Sequence, residues 1–252
     1  MSETWAELAT LGRVAPVGDG ITTAGRWSFA GAVAEHFDTH VFRSVPSYEA
    51  GHQAVVELAA HFIQPAGMVY DIGCSTGTLL AALDDQYRNR GAHLVGLDVE
   101  PDMVRQARAR FEGRTDIEIV RADARGYRWR PADLIVAHYT VQFMPVGDRA
   151  RLIADLYRAL RPGGALLWFE KTLAPTPRLQ DVVAQAYAEH KLAAGYSAEQ
   201  AAAKARAIRG VLVPQTSTEN RQLLARAGFT EVMTVHQQLS FEGVLAIKGD
   251  AG

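Results

Sequence analysis

Met68-Val69-Tyr70-Asp71-Ile72-Gly73-Cys74-Ser75-Thr76-Gly77 is the stretch from which the rest of the chain can be read. An apolar run carries Asp71 near its end, two glycines bracket Cys74, Ser75 and Thr76, and an apolar helical pattern begins at Leu79. The order is strand, tight glycine turn, helix. Such a turn lets a ligand approach the backbone closely, because glycine has no side chain in the way. It also aims backbone N–H groups and a helix N-terminus at that ligand.

Three readings compete for the turn. Gly73 to Gly77 fits G-x-S-x-G, the nucleophile elbow of α/β-hydrolases. A dinucleotide fold calls for G-x-G-x-x-G, whose second glycine is missing here. The third reading is an S-adenosylmethionine (SAM) loop, in which a carboxylate before the glycines takes the ligand's ammonium and a second acid at the next strand end takes its ribose. His93-Leu94-Val95-Gly96-Leu97-Asp98 supplies that second acid, at the distance expected for a ribose-binding residue. Asp71 and Asp98 together favour SAM. An Asp or Glu and a later His, which the elbow also needs, are too common to discriminate.

The chain has 252 residues, enough for one large domain with an inserted lid. Its hydrophobic content of 48% is ample for a packed core, and a formal net charge of −2 provides no basic stripe for nucleic acid. The one cysteine, Cys74, leaves no internal disulfide and points to a reducing, cytoplasmic setting. Residues 1–20 do not read as a signal peptide, and no apolar run approaches the length of a membrane span.

Residues 1–25 read as a loosely ordered arm, followed by helices over 29–42 and 49–63 that are separated by Pro46. From Met68 strands at 68–72, 93–97, 117–121, 134–137 and 165–169 alternate with helices at 78–88, 101–111 and 147–160, which predicts a parallel sheet covered on both faces. Residues 175–210 carry two helical patterns joined at Gly195-Tyr196-Ser197, with Ser197 as an N-cap. A helix over 218–226 and strands at 230–240 and 243–248 finish the chain. The expectation is a single α/β domain over residues 1–252 with the Rossmann-like class I methyltransferase fold. Residues 1–67 form an N-terminal arm and helices, 172–215 a helical lid, and the last two strands an antiparallel hairpin.

Asp123, at the end of the third strand, suits an adenine amino group, and Ala124 could offer its N–H to a ring nitrogen. His138 follows the fourth strand and so points into the same crevice. The plain alternatives are helix N-caps for the acids and a hydrogen-bonded wall residue for His138.

Arg43-Ser44-Val45-Pro46-Ser47-Tyr48, Val69 to Ser75, Thr140-Val141-Gln142-Phe143, Gly195-Tyr196-Ser197 and Ala227-Gly228-Phe229 recur in the same order in the carboxy-S-adenosylmethionine synthases, which the chain resembles from about Gly25 to Lys248. The resemblance implies a homodimer with its lid helices near the partner subunit. It implies that Tyr48, Gly73, Cys74 and Ser75, with Gly77 closing the turn, line the amino-acid end of SAM. Asp98 and Val99 would serve the ribose, Asp123 and Ala124 the adenine. Two departures stand out: His138 occupies a ligand-contacting position that is asparagine in the family, and Ala205 falls where the family holds the transferred carboxylate with an arginine. Arg206 is one residue further on, a rotation of about 100° on a helix. Arg43, His190, Tyr196, Arg206 and His236 are the candidate substrate-facing residues.

His138, His190 and His236, if they converged, would offer metal ligands or general bases. The plain alternative is a solvent-facing His190 and a satisfied strand residue at His236, and eight histidines are no excess, so no metal is expected. The expected function is methyl transfer from SAM to a small molecule under the lid, with His138 as base or acceptor contact. The alternatives are carboxy-SAM synthesis from SAM and prephenate, and a SAM-binding protein without transfer activity.

Overall fold

The computed structural model describes residues 28–249, so the expected arm at 1–25 lies outside them. The first expected helix is two pieces, α1 (Ala32–Glu35) and α2 (Phe37–Ser44), because the backbone at His36 leaves helical geometry with φ −113° and ψ 15°. Pro46 breaks the chain as its fixed φ and missing donor require. Ser47 then turns through the left-handed region, φ 54°, into α3 (Tyr48–Ala59).

The alternating part follows the expected order: β1 (Met68–Ile72), α4 (Thr78–Tyr87), β2 (His93–Asp98), α5 (Pro101–Arg110), β3 (Ile117–Arg121), β4 (Ala132–His138), α6 (Val146–Ala159) and β5 (Leu160–Lys171). Pro101 opens α5, where its missing N–H costs nothing. The lid helices α7 (Pro177–Ala193) and α8 (Ala198–Ala207) come next, then α9 (Ser217–Ala227), β6 (Glu231–Gln238) and β7 (Phe241–Ile247). Ser197 caps α8 as anticipated, within a reciprocal box with Gln200.

The seven strands lie in the order β3-β2-β1-β4-β5-β7-β6. The first five are parallel, and the terminal hairpin inserts β7 antiparallel beside β5, leaving β6 at the edge. Strand order reverses between β1 and β4, and in such sheets the crevice at the carboxyl ends of the strands is the place for a ligand.

Side chains alternate across β1 with the period of two that a strand imposes. Val69 packs with Val55 and Ala59 of α3, Leu80 and Leu83 of α4 and Val104 of α5. Tyr70 and Ile72 pack with Leu152, Ile153 and Leu156 of α6 and Leu224 of α9. Each face therefore has its own apolar layer, worth about 1.5–3 kcal/mol per fully buried large side chain.

The lid's return segment is fastened to the sheet by Arg149 of α6, only 1% exposed. Its guanidinium donates to the carbonyls of Gln142, Met144 and Val213 and to Gln215 Oε1, at 2.7–3.1 Å. Replacing it leaves buried acceptors without donors. Arg149→Met is expected to cost at least about 3 kcal/mol, lowering the midpoint of thermal unfolding by roughly 6–12 °C for a domain of this size. Differential scanning calorimetry checks this; a shift of a degree or two would mean water takes over those carbonyls.

Candidate active site

The glycine turn is tied to the next strand before any ligand is considered. Leu97 O accepts from both Gly73 N–H (2.7 Å) and Cys74 N–H (3.0 Å). Gly73 has φ +70°, and a Cβ there would stand 2.3 Å from Thr140 Oγ1. Thr140 in turn donates to Ile72 O at 2.8 Å. The position thus needs glycine twice over, for its φ and for the close approach. The Ser75 hydroxyl is directed at Met103 Sδ, 3.7 Å away, and among the described residues it has no hydrogen bond to a histidine, against the nucleophile-elbow reading. The Cys74 thiol is buried and pushed well above its ordinary range by burial, then by Asp71 and Asp98, so it stays an unreactive thiol.

Asp98 is fixed by Ser75 N–H on Oδ2 and by Glu100 N–H on Oδ1, both at 2.9 Å. Asp71 is 2% exposed, and no hydrogen-bond donor reaches its carboxylate among the described residues. Burial first, and the Asp98 carboxylate second, push Asp71 up to about 7. Burial likewise raises Asp98. Two desolvated acids at neighbouring strand ends fit a cationic ligand.

These residues open onto a cavity of about 920 Å³, walled by α2 and α3 on one side and α7 and α8 above. Tyr48, Asp71, Gly73, Cys74, Ser75, Asp98, Val99, Asp123, Ala124 and His138 all line it. Asp123 is half-occupied elsewhere: Arg125 donates to both its oxygens, and Arg125 also reaches Asp148. His138 is boxed by rings, with centroids of His52, Tyr139 and Phe169 each 4.6 Å away and Tyr48 at 5.1 Å. Both its ring nitrogens are buried without a hydrogen-bond partner among the described residues. Burial, then His52 and His236, hold it well below the ordinary histidine range. A neutral ring short of partners is suited to a hydrogen bond with whatever occupies the cavity.

Comparison with known proteins bears on the same arrangement. Residues 69–164 match the methyltransferase domain family. The carboxy-S-adenosyl-L-methionine synthase of Wolinella succinogenes is 32% identical over 228 residues, covering 90% of this chain and 95% of that protein. The synthase of Chromohalobacter salexigens is 36% identical over 225 residues, 88% of this chain and 83% of that protein. This chain belongs to the carboxy-S-adenosyl-L-methionine synthase family. Among solved structures, human N-acetylserotonin methyltransferase in complex with SAM superposes with a TM-score of 0.56 at 19% identity, over 97% of this chain and 66% of that one. A possible exported protein from Bordetella parapertussis does so with a TM-score of 0.62 at 21% identity, covering 97% and 79%. These likenesses establish the fold. The protein is therefore an enzyme of the SAM-dependent transferase class with a methyltransferase fold, and S-adenosyl-L-methionine is its cofactor. The partnerless Asp71 and the side-chain-free Gly73 fit that cofactor's cationic amino-acid end.

Set against the family, the remaining expected residues divide. Ala205 lines the cavity, whereas Arg206 is exposed and outside its lining, as a turn of about 100° between helical neighbours requires. Gly77 is also outside the lining. It starts α4 at φ +83°, and a Cβ there would meet Phe111 at 2.8 Å. Arg43 is buried on α2, away from the cavity. Tyr196 is a strut: its hydroxyl meets Ser44 Oγ at 3.0 Å, holding the lid to α2.

The three histidines do not converge. His190 stacks on Tyr187 at 6.5 Å, and His236 sits behind Phe169 at 5.8 Å. Neither lines the cavity; both are half-buried, and the Nε2 of each is buried without a partner among the described residues. No group of three His, Cys, Asp or Glu side chains able to hold a metal occurs among the described residues.

Sequence reasoning missed His52, Lys171 and Lys191, all of which line the cavity. The signal for His52 was its place four residues after Tyr48 on one helix face. Lys191 carries no such signal, because a basic residue in the last turn of a helix is ordinary.

SAM affinity should fall about tenfold per pH unit below pH 7 and level off above it, because a protonated Asp71 must ionise to hold a cation. Asp71→Asn should flatten that profile and Asp98→Ala should weaken binding at least about a hundredfold. Calorimetric titrations between pH 5.5 and pH 7.5, a window set by the Asp71 value of about 7, test both; a flat parent profile would remove Asp71 from the cation's contacts.

Proposed function

We propose that the protein transfers the methyl group of SAM to a small-molecule acceptor held beneath α7 and α8. The observation that carries this reading is Ala205, facing the cavity from α8 where the family resemblance calls for an arginine. A methyl side chain cannot make the charge-assisted, two-pronged bond that a guanidinium gives a carboxylate.

When bound, SAM supplies an electrophilic methyl group. The chain's own residues supply position. Asp71 would hold the ammonium, with Tyr48, Gly73, Cys74 and Ser75 around the amino-acid end. Asp98 would accept from the ribose hydroxyls beside Val99, while Ala124 and the partly engaged Asp123 flank the adenine. His138, neutral and short of partners, would orient the acceptor through a hydrogen bond. No strong base is in view in this wall, so most of the rate would come from holding the acceptor in line and excluding water.

A second reading is carboxy-SAM synthesis, favoured by the names of the relatives at 32% and 36% identity. The balanced charge supports a small acceptor over nucleic acid, and the single, buried cysteine supports a cytoplasmic setting. Leu179 and Val182, exposed on α7, support a homodimer packed through the lid. No helix among the described residues is long and apolar enough to cross a membrane.

Incubation of the protein with SAM and prephenate, followed by liquid chromatography with mass detection, is expected to yield no carboxy-SAM. Ala205→Arg should raise any trace of it, since the substitution restores the missing fork. Robust carboxy-SAM formation by the parent would overturn methyl transfer in favour of the second reading.

A further inference from the structure

The acids along the cofactor wall are treated in two ways. Asp71 has no donor among the described residues, and Asp98 is met by backbone N–H groups alone. Asp123 is gripped by a side chain. The Arg125 backbone N–H donates to its Oδ1 at 2.9 Å, Arg125 Nε to both oxygens at 3.0 Å, and Nη2 to Oδ2 at 2.6 Å. Both residues line the cavity. The third guanidinium nitrogen, Nη1, donates to Asp148 Oδ2 at 2.7 Å. Asp148 stands in the first turn of α6 and does not line the cavity.

An ion pair whose two side chains are each 40% exposed adds little to stability. What this one supplies is direction. A guanidinium is a rigid planar fork, and here every one of its nitrogens is engaged, so Arg125 cannot turn without leaving one acid or the other. Counting hydrogens, Asp123 receives the backbone N–H, the shared Nε–H and one from Nη2. An ionised carboxylate has about four acceptor positions, so about one remains for a ligand. The Arg125 hydrogen bonds, first among the causes, hold the Asp123 carboxyl below its ordinary range. It therefore stays a carboxylate, which accepts and does not donate.

We propose that Arg125, steadied by Asp148, is a positioning residue that makes the base pocket selective for a purine with an exocyclic amino group, by turning Asp123 so that one acceptor position and no donor meets the base. An oxo base would set its carbonyl oxygen against that carboxylate, with nothing to bridge the two. The inference rests on the reading that places adenine beside Asp123 and Ala124, and it holds whichever group the enzyme transfers.

The test is calorimetric titration with S-adenosylhomocysteine and with S-inosylhomocysteine, in which an oxo group replaces the amino group. The parent should prefer the adenosyl compound at least about tenfold, as a hydrogen bond to a charged acceptor allows. Arg125→Gln should bring the two within about threefold of each other, by weakening the adenosyl compound while the inosyl compound binds within about threefold of its affinity for the parent. Arg125→Lys keeps the charge without the fork and should lose most of the preference as well. Asp148→Asn touches no ligand and should lower the preference at least about threefold, through Arg125 alone. A general loss of structure would weaken both compounds together, so the ratio separates positioning from damage. A parent without preference would overturn the placing of the base at Asp123. A parent with the preference, and Arg125 variants that keep it, would leave that placing intact and overturn the role of Arg125. An unchanged ratio in Asp148→Asn would overturn the part given to Asp148.

Discussion

Asp71, buried, and Asp98, half-buried, stand near the ends of neighbouring parallel strands, and among the described residues no side-chain cation is set against Asp71. That juxtaposition raises both carboxyl groups and makes the crevice a place where a cation is worth more than water can offer. Much of the surrounding structure serves to keep the two acids where they are. The glycine turn is tied down by a single carbonyl, Leu97 O, so that it cannot swing away from β2. Thr140 fills the space that Gly73 leaves free, which couples the turn after β1 to the segment after β4. Ser75 N–H fixes one oxygen of Asp98 and so sets the direction of its carboxylate.

The opposite wall is built with the opposite sign. α7 and α8 are held down by contacts with α2, through Tyr187 to Ser44 O at 2.8 Å and through Tyr196 to Ser44 Oγ, and by Arg149 at the point where the lid rejoins the sheet. Such fastening leaves the lid with a defined inner face, on which Ala205, Lys191 and Tyr187 look into the cavity. Between the two walls lies a floor of rings, Tyr48, His52, His138 and Tyr139, backed by Phe169, in which His138 is kept neutral by its surroundings. The pocket thus has acids at one end, ammonium groups at the other and aromatic rings between them.

Much of this was legible in the sequence, for physical reasons. Short, near-continuous apolar runs carrying Asp71 and Asp98 at or near their ends and a third stopping just before Asp123, separated by helical patterns, admit few arrangements other than a parallel sheet with helices on both faces. The carboxyl ends of such strands share one edge, so the acids had to come together, and the glycines of the turn announce a close approach. Helical phase was enough to separate Ala205 from Arg206, because neighbours on a helix face different ways. Ser197 carried its own local signal as a cap.

What only the tertiary structure decided concerns contacts between segments distant in the chain. The spacing of His52 from Tyr48 puts the two on one helix face, but only the laying of α3 against β4 brings His52 to His138. His190 and His236 have the residue type of a shared site, but the packing of α7 and β6 sends them elsewhere. Lys171 and Lys191 lie twenty positions apart and acquire their meaning only because the lid folds back over the sheet and brings both ammonium groups to Tyr187. The sequence by itself determined the fold and the cofactor end, since these follow from periodicity and from chemistry at strand ends. The acceptor end was decided by how the lid docks, because burial and the pairing of charges are properties of three-dimensional neighbours, which spacing along a chain does not encode.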